Sequence, residues 1–250
     1  MATHQEYVSD ELTHFVAKEH KECPDEQFKI LCKILREGKL LGGGKKGAQG
    51  NMTMNPRADL SSNEFIAPEM VCFCDIPIES LGVHMRKYGQ FAISFAKLFM
   101  RAEGCNPVYY ISKGSPCTDH KYINENDPSR ETKWGDFFSR AADEWLPGIK
   151  RKAQILGKPG HIDPSKLDRI ENLLLWYVFG HLKFFDITLP KDHPQNFYME
   201  REWRKLGNID FKLADVKRVI LPCGYEARFR STFKYTGTIT RVCPDGSVIV

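Results

Sequence analysis

Apolar residues in this chain keep two different periods in different places, and the two never settle into a regular alternation. Phe28, Leu31, Cys32 and Leu35 recur at i, i+3, i+4 and i+7, which is one stripe of a helix. Phe91, Ile93 and Phe95 alternate with Ala92 and Ser94, the pattern of a half-buried strand. Residues 70–76 (MVCFCDI) form a β-type run that Pro77 ends. A βαβ rhythm is missing, so a doubly wound parallel sheet is disfavoured. The expected class is α+β, with mixed, mostly antiparallel sheets and flanking helices. The 250 residues, 42% hydrophobic and 27% charged, fit a single domain over 1–250 with a helical insertion at about 117–190.

Other signals fill in the outline. Residues 12–16 have strand character. Pro24 opens the first helix, Asp25 and Glu26 suit its positive end, and Gly38 caps it. Residues 80–88 look helical and 108–111 extended. Ser129 caps an expected helix that places Trp134, Phe137, Phe138, Ala141 and Trp145 on one face. Asp163-Pro164 opens the longest apolar helix, expected over about 165–185 and central to the core. Strands are expected at 197–204, 216–221 and 229–235, and a hairpin at 238–242 and 247–250 around Pro244-Asp245-Gly246. Residues 42–63 read as a long loop, suited to be a lid over a ligand. Its Gly42-Gly43-Gly44-Lys45-Lys46-Gly47 run lacks the Gly-Lys-Ser/Thr of a nucleotide loop.

Several classes are excluded. The longest apolar run, 173–179, is far below the roughly 20 residues of a membrane span. The acidic N-terminus has no apolar core and is not a signal peptide. The expected location is therefore cytoplasmic, with no membrane partner, and the eight cysteines read as reduced thiols. Charge is uneven: residues 1–37 hold five Lys/Arg against eight Asp/Glu, whereas 201–241 hold ten against four. The basic end suits a phosphate-bearing ligand or nucleic acid, or equally an ordinary solvated strand face.

Four constellations carry chemistry. Cys72 and Cys74, with His84, Cys105 and Cys117, offer thiolates and imidazole for zinc. The spacing between cysteines is too short for a usual site, and buried strand cysteines are the default. A Cys–His hydrolase lacks any recognisable nucleophile context, and a metal-dependent nuclease lacks a paired-carboxylate motif. Arg201, Arg204, Arg218, Arg228 and Arg230 suit a pyrophosphate clamp or cross-strand ion pairs. The fourth set is His14, Tyr88, Glu200 and Glu202, on three separated elements. Splitting a nicotinamide glycosidic bond needs this set: an imidazole on a ribose hydroxyl, a flat ring to stack on, and a carboxylate facing an oxocarbenium-like charge. In that reading Glu202, Glu200 and Tyr88 are catalytic, and His14, Phe15, Tyr88 and Arg204 hold NAD. Glu200 and Glu202 are expected on one side of a strand. The bland reading has a core histidine, a packing tyrosine and glutamates paired with Arg201 and Arg204.

The segment MVCFCDIPIESLGVHMRKYGQFAISFAKLFMRAEGCNPVYY resembles the AbiGi-type abortive phage-infection proteins. Matching features are Cys72 to Pro77, His84, Tyr88 to Ile93, Lys97, and Asn106 to Tyr109, with Cys74 where Thr or Ser is expected. The likeness covers about residues 12–112 and 197–222. It implies a role in antiphage defence, of toxin–antitoxin type, with a toxin or phage protein as partner. The order His, helix, Tyr strand, late Glu is also similar to diphtheria-toxin-like and DarT-like ADP-ribosyltransferases. That likeness implies an ADP-ribosyltransferase-like fold, NAD as co-substrate, and a nucleic acid or protein acceptor. The alternative is a catalytically inactive antitoxin or phage-sensing interaction protein.

Overall fold

The computed structural model describes residues 9–42, 52–55, 66–115, 122–123, 131–132, 164–190, 193, 195–243 and 248–249. Most of the loop expected at 42–63, most of the helix expected from Ser129, Cys117 and the turn Pro244-Asp245-Gly246 lie outside the described residues. The chain forms two compact units. The first comprises Met1–Gly50, Glu69–Pro107 and Met199–Val250, and the second Asn51–Pro68 and Val108–Tyr198.

An eight-stranded sheet organises the first unit. Its strands in chain order are β1 (Glu11–Phe15), β2 (Met70–Cys74), β3 (Ala92–Ala96), β4 (Asn106–Pro107), β5 (Glu202–Leu206), β6 (Val216–Pro222), β7 (Thr238–Val242) and β8 (Val248–Ile249). They lie side by side as β8-β7-β6-β3-β1-β2-β5-β4. Every neighbouring pair is antiparallel except β6 and β7. The fold is mixed α+β with a mostly antiparallel sheet and flanking helices.

Register decides which side chains share a face. His14 lies opposite Ile93 and Leu12 opposite Phe95, whereas Thr13 faces Ser94 and Phe15 faces Ala92. Thr13 also faces Cys74, and Cys74 faces Glu202. One face therefore carries Leu12, Phe73, Ile93, Phe95, Val219 and Leu221, and helix α1 (Pro24–Glu37) covers it with Phe28, Leu31 and Leu35. Each such side chain, fully buried, stabilises by about 1.5–3 kcal/mol relative to exposure. The other face carries Thr13, Phe15, Cys74, Ala92, Ser94, Glu202 and Ile220. Leu81 and Met85, around helix α2 (Gly82–Tyr88), pack there against Cys74, Ile76, Ala92, Ile220 and Val242. β3 is thus buried on both sides rather than half-buried. A short α3 (Lys97–Ala102) follows it.

Three expectations about individual elements need correcting. Residues 229–235 are not a strand: helix α4 (Glu226–Thr232) occupies that place. Parallel neighbours cannot be joined by a tight turn, so β6 and β7 need a crossover, and α4 buries Phe229 completely while making it. The apolar helix expected over about 165–185 is helical over Pro164–Asn172, continues as wider and tighter turns to His181, and ends in a strand, Leu182–Phe185, paired in parallel with Tyr109–Ser112. Ile170, Leu173 and Tyr177 are exposed, so it is not central to a core. Met52–Met54, inside the expected loop, is a strand paired with Ile66–Pro68 in the second unit.

The cysteine reading also changes. Pro222 and Val242 are the last partners of the β6–β7 pair, and the Cys223 N–H donates to the Val242 carbonyl at 2.9 Å. Cys223 and Cys243 follow them and are disulfide-bonded, 5.2 Å apart at Cα. Parallel register brings the two together, which their separation in the chain did not signal.

Gly38 ends α1 in the left-handed region (φ 60°), and its N–H donates to the Ile34 carbonyl at 2.9 Å. A Cβ there would sit 2.3 Å from the Phe211 backbone oxygen, which cannot swing away. Gly38→Ala is expected to destabilise the fold by about 1–3 kcal/mol, read as a lower midpoint in chemical denaturation.

Candidate functional site

The polar face of the sheet holds most of the residues of interest. Tyr88 is the last residue of α2, and its hydroxyl donates to Glu200 Oε1. Lys87 Nζ donates to the same oxygen at 2.5 Å. Phe15 stacks on Tyr88 with centroids 5.8 Å apart, and His84, one turn earlier on α2, stacks at 6.4 Å. The ammonium groups of Lys18 and Lys87 lie 5.0 and 5.1 Å from the Tyr88 ring centroid. That ring is a shared contact for aromatic and cationic neighbours rather than a bare platform.

Glu200 and Glu202 do not sit on one strand as expected. Glu200 ends a 3₁₀ turn, Phe197–Glu200, and Glu202 begins β5. Between them Arg201 adopts a left-handed backbone (φ 45°), uncommon for a residue with a long side chain. Buried Asp75 fixes it: the Asp75 N–H donates to the Arg201 carbonyl at 3.2 Å, and its carboxylate meets Lys97 Nζ at 2.8 Å and the Arg201 guanidinium at 3.6 Å. Period two thus fails at residue 201. Both carboxylates nevertheless lie near Tyr88, and their charges, together with burial as the larger cause, push its hydroxyl far above the usual phenol range.

Glu202 is committed to Arg204. Two residues apart on β5, they form a two-bonded pair, Nε to Oε1 at 2.8 Å and Nη2 to Oε2 at 3.2 Å, with both side chains buried. Arg204 lies opposite Cys72, whose side chain is exposed, while Cys74 beside Glu202 is buried and its thiol is pushed up by burial.

His14 is elsewhere. It projects on the α1 side of the sheet, against Phe73 at 5.5 Å, with Nδ1 2.8 Å from the Cys72 carbonyl. The sheet separates it from Tyr88, Glu200 and Glu202, so of the residues expected to converge, Tyr88, Phe15, Glu200, Glu202 and Arg204 share a face and His14 does not. The histidine on their side is His84.

Two positioning features escaped the sequence reading. Gln27, fully buried on α1, donates through Nε2 to the carbonyls of Val16 (2.9 Å), Ala17 (3.1 Å) and Tyr88 (3.3 Å). Gly89 (φ 99°) allows this approach, because a Cβ there would fall 2.2 Å from that nitrogen. Lys87 also escaped notice. A His-x-x-x-Tyr spacing on a short helix was the signal available for His84.

Burial lowers the pKa of both His14 and His84 below the ordinary 6.5. The unfolded chain therefore binds protons that the native chain refuses, so stability falls as pH drops below that value. His84→Phe is expected to flatten the melting-temperature profile between neutral and mildly acidic pH. Arg204→Met strands a buried carboxylate and is expected to cost about 3–5 kcal/mol, most of it regained in Arg204→Met with Glu202→Leu; a double-mutant cycle in urea measures both.

Among the described residues, no helix is long and apolar enough to cross a membrane, and no group of three or more His, Cys, Asp or Glu gathers as a metal site. No curated protein and no solved structure matches the chain. The family described as "Putative abortive phage resistance protein AbiGi, antitoxin" matches residues 54–222, roughly two thirds of the chain. That span takes in residues 117–196, which the sequence likeness left unmatched. It starts beyond β1 and α1 and ends with β6. With the CFCDIP run anchoring Arg201, and His84, Tyr88 and Glu200 gathered on one face, all inside that span, the chain belongs to the AbiGi family.

Proposed function

We propose that this protein is the antitoxin of an abortive-infection pair and that it acts by binding a partner toxin rather than by turnover. The family supports the antitoxin role. The observation that carries the binding reading is the split of the expected triad. His14 is across the sheet from Tyr88, and the Glu202 carboxylate is held on both oxygens by Arg204. A carboxylate engaged in this way is a structural ion pair, not a group waiting for a developing positive charge.

Growth rescue tests it. Co-expression with the companion toxin is expected to restore growth, and Tyr88→Phe, which removes one hydroxyl, is expected to rescue as well as the unchanged protein. A Tyr88→Phe protein that folds and binds the toxin but no longer rescues growth means that turnover, not binding, neutralises the toxin.

A second reading rests on the Tyr88–Glu200 pair beside the strained Arg201, an arrangement in keeping with an active centre. Here the chain is an ADP-ribosyltransferase-like enzyme with NAD as co-substrate and a nucleic acid or protein as acceptor. The bond from nicotinamide to ribose breaks, nicotinamide leaves with the bonding pair, and Glu200 faces the ribose cation. Phe15 and Tyr88 flank the ring, and Glu202 and Arg204 line the approach. Labelled NAD should then release nicotinamide, with release surviving His14→Phe and disappearing in Glu200→Ala. Release that persists in Glu200→Ala with Glu202→Ala removes this reading.

A further inference from the structure

Buried polar side chains in the first unit are otherwise well provided with partners. Thr13 and Ser94 share a hydrogen bond at 2.9 Å, Arg218 holds Glu11 at 2.9 and 3.0 Å and Thr240 at 2.7 Å, and Gln27 reaches three carbonyls. Among the described residues of that unit, one buried side-chain atom has no partner: Nδ1 of His84, on a side chain 5% exposed. A buried polar atom left unpaired in so well-satisfied a unit calls for an explanation. A second group nearby is also uncommitted. Lys18 is exposed, has no carboxylate partner among the described residues, and rests over the Tyr88 ring, the ring on which His84 stacks.

We propose that the His84–Tyr88 ring pair is the floor of a binding site for a nucleoside phosphate, with His84 Nδ1 accepting a hydrogen bond from the base or ribose and Lys18 meeting the phosphate. The ligand must bring an uncharged N–H or O–H donor and an anion to the same tyrosine. Inorganic phosphate brings only the anion, and would set it against Glu200. A free nucleoside brings only the donor. A nucleoside phosphate brings both, spaced by its ribose. Burial keeps the imidazole neutral, the form in which a ring nitrogen accepts. Lys87 is committed to Glu200, which leaves Lys18 as the cation for the phosphate. This site goes beyond the antitoxin reading and needs no turnover: it would tie partner binding to a small-molecule signal.

Calorimetric titration of the full chain, without partner, tests it. The probes are AMP, GMP, CMP and UMP, with adenosine and inorganic phosphate as the two halves of one of them. At least one monophosphate is expected to saturate the chain, more tightly than either half. His84→Phe keeps a ring and removes the acceptor, and is expected to weaken that monophosphate at least tenfold. Lys18→Gln changes an exposed side chain and is expected to reduce its affinity to that of the nucleoside alone. Absence of saturable binding by any monophosphate overturns the proposal. So does undiminished binding by Lys18→Gln, which reports even if His84→Phe fails to fold. Either result leaves growth rescue by the antitoxin untouched, so the two readings fail separately.

Discussion

The two-sidedness of the central strand governs what this protein can bring together. β1 is hydrogen-bonded on both edges, to β3 and to β2, so its side chains must alternate between two covered faces. Leu12 enters the core under α1, and Thr13 enters the polar layer beside Ser94 and Cys74. Nothing at the next position is left to choice: His14 follows Leu12, and Phe15 follows Thr13 toward Tyr88. A shift of one residue in pairing would exchange these sets and bury Thr13 among phenylalanines. Every statement about which residues form a site inherits this constraint.

The same logic marks how far the sequence could be read. α1 was legible from end to end, because an amphipathic stripe, an opening proline and a terminal glycine all agreed. β2 and β6 were legible because their β-rich runs end at Pro77 and Pro222, and β3 because Phe91, Ile93 and Phe95 alternate with Ala92 and Ser94. The helix α4 was not. Phe229, Phe233 and Tyr235 look like a strand until one knows that β6 and β7 run in parallel, and strand direction is a tertiary fact. The site was half legible for the same reason. Tyr88, Glu200, Glu202, Phe15 and Arg204 were named from the text and share a face. His14 was placed with them because chain order carries no information about sheet faces, whereas His84, four residues from Tyr88, was weighed only as a zinc ligand and as part of the family motif. The left-handed Arg201, which takes Glu200 out of the strand, has no signature in composition.

Polar groups on this face and around the sheet are held by partners distant in sequence. Arg218 and Glu11 are joined across β3, Asp75 grips the turn before β5, and Gln27 ties α1 to the end of α2. Each link fixes one backbone segment against another, so the layer under α2 is rigid where Glu200 and Tyr88 meet. Such rigidity suits recognition, since ordering costs are met when the chain folds rather than when a ligand arrives. Glu202 is held in the same layer by Arg204, on both of its oxygens.

The bond between Cys223 and Cys243, which lie twenty positions apart, encloses α4 and the whole of β7 in a covalent ring. Because the ring straddles two parallel strands, the outermost part of the sheet is secured by chemistry as well as by hydrogen bonds. Were that clasp reduced, β7 would still be held by backbone pairing, by the burial of Ile239 and Val242, and by the Arg218–Thr240 hydrogen bond and the Arg241–Glu226 ion pair. How firmly the C-terminal edge is fastened therefore varies with the electron supply of the surroundings, even when the amino acids do not change.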